Sequence, residues 1–253
     1  MKTVDVNCFL GHWPFRKIRR GTFADLKAVH AENEIAFGYV SSLDSIFYND
    51  PFEGDIELHE TIRGSDYRHI LSVNPALPCC LEDVRRGVQN FDIKGVRIYP
   101  DIHGFDLNSP EVDDLCRLLS LMNLPLVLTV RLEDERMCYL MQSRPPQMDS
   151  LDSFLKAHPQ NAILLTGIYY SEILRIKDTL NRLENVFFDA SGLKESLFVV
   201  EKLLTAVPAS KLLYGSQHSL YCLKSTLLLL EKAAIDPAVR SLILSENYRK
   251  LFK

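Results

Sequence analysis

The feature that most constrains this chain is a strict alternation, repeated eight times, of short apolar runs and stretches of helical spacing. The strand-like runs are Val4 to Leu10, IAFGYVSSLD from Ile35, HILSVNPA from His69 and IKGVRIY from Ile93. They continue with PLVLTVRL from Pro125, NAILLTG from Asn161, NVFFDASG from Asn185 and KLLYGSQH from Lys211. Between them lie helical patterns: the GTFADLKAVHAENE segment, Asp55 to Arg63, Leu81 to Phe91, Pro110 to Met122, Leu151 to Ala157, Glu172 to Leu183 and Glu195 to Ala206. Further helical stretches, Leu220 to Ala234 and Pro237 to Phe252, close the chain. Ser109 caps the Pro110 helix, with proline at its first position and acids in its first turn.

Runs this rich in Val, Ile and Leu are strands covered on both faces. Alternation of strand and helix requires a parallel sheet. Eight units in about 250 residues is the size of one (β/α)8 barrel, and no Gly/Ser-rich linker divides the chain. The sequence therefore predicts an α/β fold, a single (β/α)8 TIM barrel with C-terminal helices, spanning residues 1–253 as one domain. An open doubly wound sheet is the competing architecture. No GxGxxG or P-loop follows any strand, so neither a nucleotide-binding form nor a nucleotide cofactor is expected.

Charge narrows the partners. A net charge of −4 argues against general nucleic-acid binding or an acidic membrane surface. The basic cluster Arg16, Lys17, Arg19 and Arg20 reads as a solvated loop or an anion-facing rim. Six cysteines, at 8, 79, 80, 116, 138 and 222, form no CxxC pair, and reduced thiols follow. MKTVDVNCFL carries no signal-peptide pattern, and the run from Leu223 to Leu230 is far short of a membrane span. A soluble cytoplasmic protein is expected.

In a barrel, alternate residues of each strand point inward and reach a site at the C-terminal mouth. Period two places Asp5, Asn7 and Phe9 on the inner face of strand one, and Gly95, Arg97 and Tyr99 on that of strand four. Val127, Thr129 and Arg131 follow from strand five, Phe187, Asp189 and Ser191 from strand seven, and Ser216, Gln217 and His218 end strand eight. The loop after strand four, broken by Pro100, Asp101 and Gly104, carries His103. Cys8 faces the helices. Trp13, Pro14 and Phe15 cover the barrel mouth or a homo-oligomer interface. The run Glu133 to Arg136 adds Glu133 or Glu135, as a partner for Arg97 or Arg131, and Arg136, which could reach a substrate.

The order of D-x-N-x-F-x-G from Asp5, GVRIYP from Gly95, NVFFDASG from Asn185, YGSQH from Tyr214 and ILSENYRKLF from Ile243 resembles the amidohydrolase-related family. The likeness covers nearly the whole chain. The segments WPFR from Trp13, YPDIHGF from Tyr99 and EDERM from Glu133 are similar to an uncharacterised branch of it. The resemblance implies a TIM barrel and a metal-dependent hydrolase or decarboxylase. The family's strand-one metal-ligand positions are Asn7 and Phe9 here. Its strand-five and strand-six histidines fall near Thr129 to Arg131 and Thr166 or Gly167, and its strand-eight aspartate is Gln217. Phenylalanine cannot ligate a metal and an amide is a weak zinc ligand, so no metal ligand is carried over and no cofactor is expected.

His103 and Asp189 are then the candidate bases, and Arg97 and Arg131 the clamps for a carboxylate. Asn7, Tyr99, Glu133, Arg136, Gln217 and His218 are candidate substrate contacts. The expected activity is metal-independent hydrolysis of a small anionic substrate. The alternative is a non-catalytic barrel binding a small anionic metabolite or a protein, with Arg97, Arg131, Asp189 and Glu133 pairing internally. A relocated metal site at His12, His103 and His218, with Asp189, is a further alternative, although they share no local ligand spacing.

Overall fold

The computed structural model describes residues 2–134 and 144–252. Eight parallel strands pair in sequence order. They are β1 (Thr3–Leu10), β2 (Ile35–Ser42), β3 (Arg68–Ser72), β4 (Ile93–Ile98), β5 (Leu126–Thr129), β6 (Ile163–Thr166), β7 (Val186–Asp189) and β8 (Leu212–Leu213). Backbone bonds from Val6 N to Tyr214 O, Gln217 N to Asn7 O and Phe9 N to His218 O bring the first and last strands together. The expected eight-fold α/β barrel is the fold observed.

Helices cover the outside: α1 (Phe23–Glu32), α2 (Pro51–Ile62), α3 (Cys80–Asn90), α4 (Pro100–His103), α5 (Pro110–Met122), α6 (Met148–Ala157), α7 (Tyr170–Arg175), α8 (Lys177–Arg182), α9 (Val199–Leu204), α10 (Leu223–Glu231), α11 (Pro237–Ser241) and α12 (Tyr248–Leu251). Thr22 caps α1 through a reciprocal pair with Asp25, and Asp50 caps α2 with Pro51 at its first position. The expected Glu172 to Leu183 helix is two helices meeting at Ile176. The tail pattern from Pro237 is broken by a π-helical stretch, Leu242–Glu246. His103, expected in a loop, ends the four-residue α4, closed by Gly104 at φ 68°. No described helix is long and apolar enough to cross a membrane.

Two apolar layers position the site. Leu126, Leu128, Ile163, Leu165, Val186, Phe188 and Leu212 face the helices in the larger cluster. Val4, Val6, Tyr39, Ile70, Val127, Leu164, Phe187 and Leu213 fill the barrel interior, one or two from each of seven strands. Gly95 belongs to the same interior, its open side toward Ile70.

Strand β1 departs from its expected register. Asp5 pairs with Gly38 and Cys8 with Val40, so three steps on β1 match two on β2. This bulge reverses the alternation part-way along the strand. Val4 and Val6 point inward, and Asn7 and Phe9 follow them inward. Asp5 therefore faces outward, its Oδ2 lying 3.5 Å from Nε2 of His30 on α1. The inward placement of Asp5 expected from simple alternation is corrected. Cys8 faces the helices as expected, packed with Leu26, Val40 and Leu58.

Candidate active site

The C-terminal ends of β5 to β8 build the site. Asp189 closes β7, fully buried, and its carboxylate is held from three sides. Asn7 Nδ2 donates to Oδ2 at 2.7 Å, and the Ser191 hydroxyl donates to Oδ1 at 2.7 Å. The backbone N–H groups of Ser191 and Gly167 donate to Oδ1 at 3.2 and 3.4 Å. The approach of Asn7 to Asp189 requires Gly215, since a Cβ there would collide with Asp189 Oδ2. Burial opposes these four bonds and wins, raising the carboxyl pKa to about 6.

Ser191, itself fully buried, stands between this carboxylate and a cavity. Its Oγ accepts from Gly167 N at 3.0 Å while donating to Asp189, and Ser191 lines a cavity of about 370 Å³ together with Arg131, Tyr169, Lys194, Gln217 and Tyr221. Lys194 and Tyr221 escaped the sequence reading. The only signal was Lys194's place two residues past the DASG turn. Lys194 is an exposed residue, yet its ammonium sits 3.4 Å over the Tyr221 ring. Desolvation there pulls its pKa down to about 8.

The two expected arginines have different surroundings. Arg97 is fully buried on β4, its guanidinium 4.5 Å over the Phe9 ring, and none of its three nitrogens makes a hydrogen bond. Burial lowers its pKa, tempered by nearby Tyr99 and Asp189. Arg131 forms a two-toothed pair with Glu172 at 2.9 and 3.1 Å, donates to Gly167 O, and lies 3.8 Å over the Tyr169 ring. Its charge is already matched by a carboxylate 41 residues away, a partner that local spacing could not reveal. Glu133, expected beside Arg97 or Arg131, instead takes two bonds from Arg16.

The remaining candidates spread around the mouth. Tyr99 shares a hydrogen bond with Ser72 Oγ at 3.0 Å. His103 Nε2 meets the Ile46 carbonyl at 3.0 Å, so this nitrogen carries the proton, and burial lowers the ring's pKa. Gln217 reaches across to β5, its Nε2 donating to the Arg131 and Leu132 carbonyls. His218 is buried with neither ring nitrogen bonded, within electrostatic reach of Asp5 and His30 rather than of Asp189. Glu135 and Arg136 lie outside the described residues. His12, His103 and His218 do not converge: His12 is exposed, and among the described residues the one group with ligand atoms close enough to share an ion is Asp5, Cys8 and His30.

Above the interior sits a plug of Phe9, Trp13, Leu43, Tyr99, Leu132 and Leu220, with Phe15 and Phe47 edge-on to Trp13. Arg16 ties it down, bridging Glu133 and the Leu220 carbonyl. Trp13 thus covers the mouth from the β1 side, leaving the cavity open on the β5–β8 side.

The fold recurs in solved structures. An uncharacterised TIM-barrel protein from Bordetella bronchiseptica matches at TM-score 0.77 and 13% identity, over 99% of this chain and 98% of that one. The chain is a TIM barrel. A 5-carboxyvanillate decarboxylase from Sphingomonas paucimobilis matches at TM-score 0.74 and 10% identity, with coverage of 99% and 98%. A protein described as a probable 2-pyrone-4,6-dicarboxylic acid hydrolase from Acinetobacter baumannii, with citric acid bound, matches at 0.69 and 13%, covering 100% and 99%. No family model matches the chain, and no curated protein does. At these identities the likeness establishes the fold.

Proposed function

We propose that the chain is an amidohydrolase-like hydrolase of a small carboxylate-bearing substrate, bound in the β5–β8 cavity and turned over without the family's metal. The observation that carries this reading is the chain of contacts from the cavity through Ser191 Oγ to a buried Asp189 whose pKa lies near 6. A carboxylate poised just below neutrality is a general base. Water in the cavity would pass a proton to Ser191 Oγ as the Ser191 proton passes to Asp189, leaving hydroxide to attack the ester or lactone carbon. Lys194 supplies the positive charge for the substrate carboxylate or the oxyanion, and the Tyr169 and Tyr221 rings give walls for a flat molecule. The 5-carboxyvanillate decarboxylase and the probable 2-pyrone-4,6-dicarboxylic acid hydrolase among the structural relatives favour this substrate class.

The metal-free part rests on donor chemistry. The residues at the family's ligand positions are an amide, a phenyl ring, hydroxyls and a second amide. The carboxylate beside them, Asp189, already accepts four hydrogen bonds. This set does not suit zinc, which wants imidazole, thiolate or carboxylate with free lone pairs.

The apolar plug and the Arg131–Glu172 pair favour a second reading, a barrel that binds a small anion without turnover. One experiment separates them: purified protein is assayed against lactones and esters bearing carboxylates, and binding of the same compounds is measured by calorimetry. Turnover abolished by Ser191→Ala supports the hydrolase. Binding without turnover supports the binder, and neither rejects both.

A further inference from the structure

A buried polar cluster lies on the opposite side of β1 from the candidate active site, between the barrel wall and α1. The β1 bulge turns Asp5 into it. Cys8 Sγ, Asp5 Oδ and His30 Nε2 lie within 4.8 Å of one another, and all three residues are buried. His30 is 1% exposed, and its Nε2 has no hydrogen-bond partner. Its Nδ1 is held 2.9 Å from Tyr67 Oη, and the ring stacks on Tyr67 at 5.5 Å. The cluster packs directly against Gly38 on β2: a Cβ there would collide with Cys8 Sγ and crowd His30 Cε1 at 3.0 Å. Asp5 Oδ1 is filled by bonds from Asn7 N at 3.1 Å and Ser216 N at 3.0 Å, while Oδ2 accepts only from Ser216 Oγ at 2.5 Å and keeps a lone pair toward His30.

We propose that Asp5, Cys8 and His30 form a binding site for a divalent transition metal of the zinc class, separate from the barrel mouth. Thiolate, imidazole and carboxylate are the ligand types zinc prefers, and His30 and Asp5 already stand 3.5 Å apart. Charge balances in a buried setting: the ion's two positive charges meet one from the Asp5 carboxylate and one from the Cys8 thiolate. In the metal-free chain the Cys8 thiol faces the Tyr39 carbonyl at 3.3 Å. On binding, its proton leaves to solvent and sulfur bonds the ion. His30 turns its Nε2 lone pair to the metal while Nδ1–H donates to Tyr67, the outer-shell contact that metal-bound histidines commonly make. The fourth position falls to water. The ion would fasten α1 to the bulged end of β1, next to Asn7, which holds Asp189.

The test uses the full-length protein, dialysed against chelator and reloaded with zinc or cobalt(II). The expected result is about one ion per chain, a thiolate-to-cobalt charge-transfer band, and a rise in melting temperature on zinc addition. Cys8→Ala and His30→Gln each lose the band and the thermal shift. Because either variant could fold poorly, an anomalous difference map at the zinc edge is also taken on the wild-type protein. A peak between Cys8 and His30 supports the site. No stoichiometric uptake, uptake undiminished in both folded variants, or a peak elsewhere overturns it.

Discussion

Replacing Asp189 with Asn should raise stability at neutral pH while removing activity. The carboxyl is fully buried, and its pKa is about 6 in the folded chain against about 3.9 in an unfolded one. The folded state therefore holds a proton that the unfolded state has released between these values, so stability falls as pH rises through this window. A shift of about two units corresponds to about 3 kcal/mol of lost stability, complete above about pH 7. Asn does not titrate. The hydrogen bonds can be rebuilt, because Asn7 Oδ1 lacks a partner and a flip of the Asn7 amide lets it accept from the new Nδ2. Urea unfolding of both proteins from pH 4 to pH 8 gives the difference in stability at each pH. It should shift by about 3 kcal/mol in favour of Asp189→Asn between pH 4 and pH 7. A difference that is flat with pH would refute the assignment of a raised pKa to Asp189, and with it the base.

The pH dependence of kcat/KM should be bell-shaped, rising as Asp189 ionises near pH 6 and falling as Lys194 loses its proton near pH 8; Lys194→Met should abolish the alkaline limb and raise KM. Arg97→Met should leave the fold intact and raise unfolding free energy by roughly 1–4 kcal/mol, because the guanidinium is buried without a hydrogen bond; chemical denaturation measures it. Asp55→Ala should destabilise by roughly 3–5 kcal/mol, since it strands His69, 2.7 Å away, together with Ser72 N and Ser45 Oγ. Thermal melts read that loss.

The barrel was legible because its signal repeats. Each strand carries its own apolar run, and one misread boundary does not change the count of eight. The inner faces of β4, β5 and β7 were legible for the same reason, and Arg97, Thr129 and Asp189 point where period two puts them. Asp5 was not, because a bulge is a single extra residue with no residue type of its own; Gly38 on the facing strand is its only trace. Arg131 could be placed on the inner face, but not its partner Glu172, which arrives from α7, beyond strand β6. Lys194 was missed because lysines past strand ends are common, and only the Tyr221 ring beneath it sets it apart. The plug was half legible: Trp13 and Phe15 announced a buried loop, while Leu132 looked like an ordinary strand-end residue and Leu220 like the start of a helix.

The most direct test of the account is kcat/KM for a carboxylate-bearing lactone, measured side by side for the wild-type protein, Ser191→Ala and Asp189→Asn. The account predicts turnover by the wild type and a loss of roughly 10²- to 10⁴-fold in each variant with the fold retained. A wild type that turns over none of these compounds, or turnover that survives both substitutions, would contradict it.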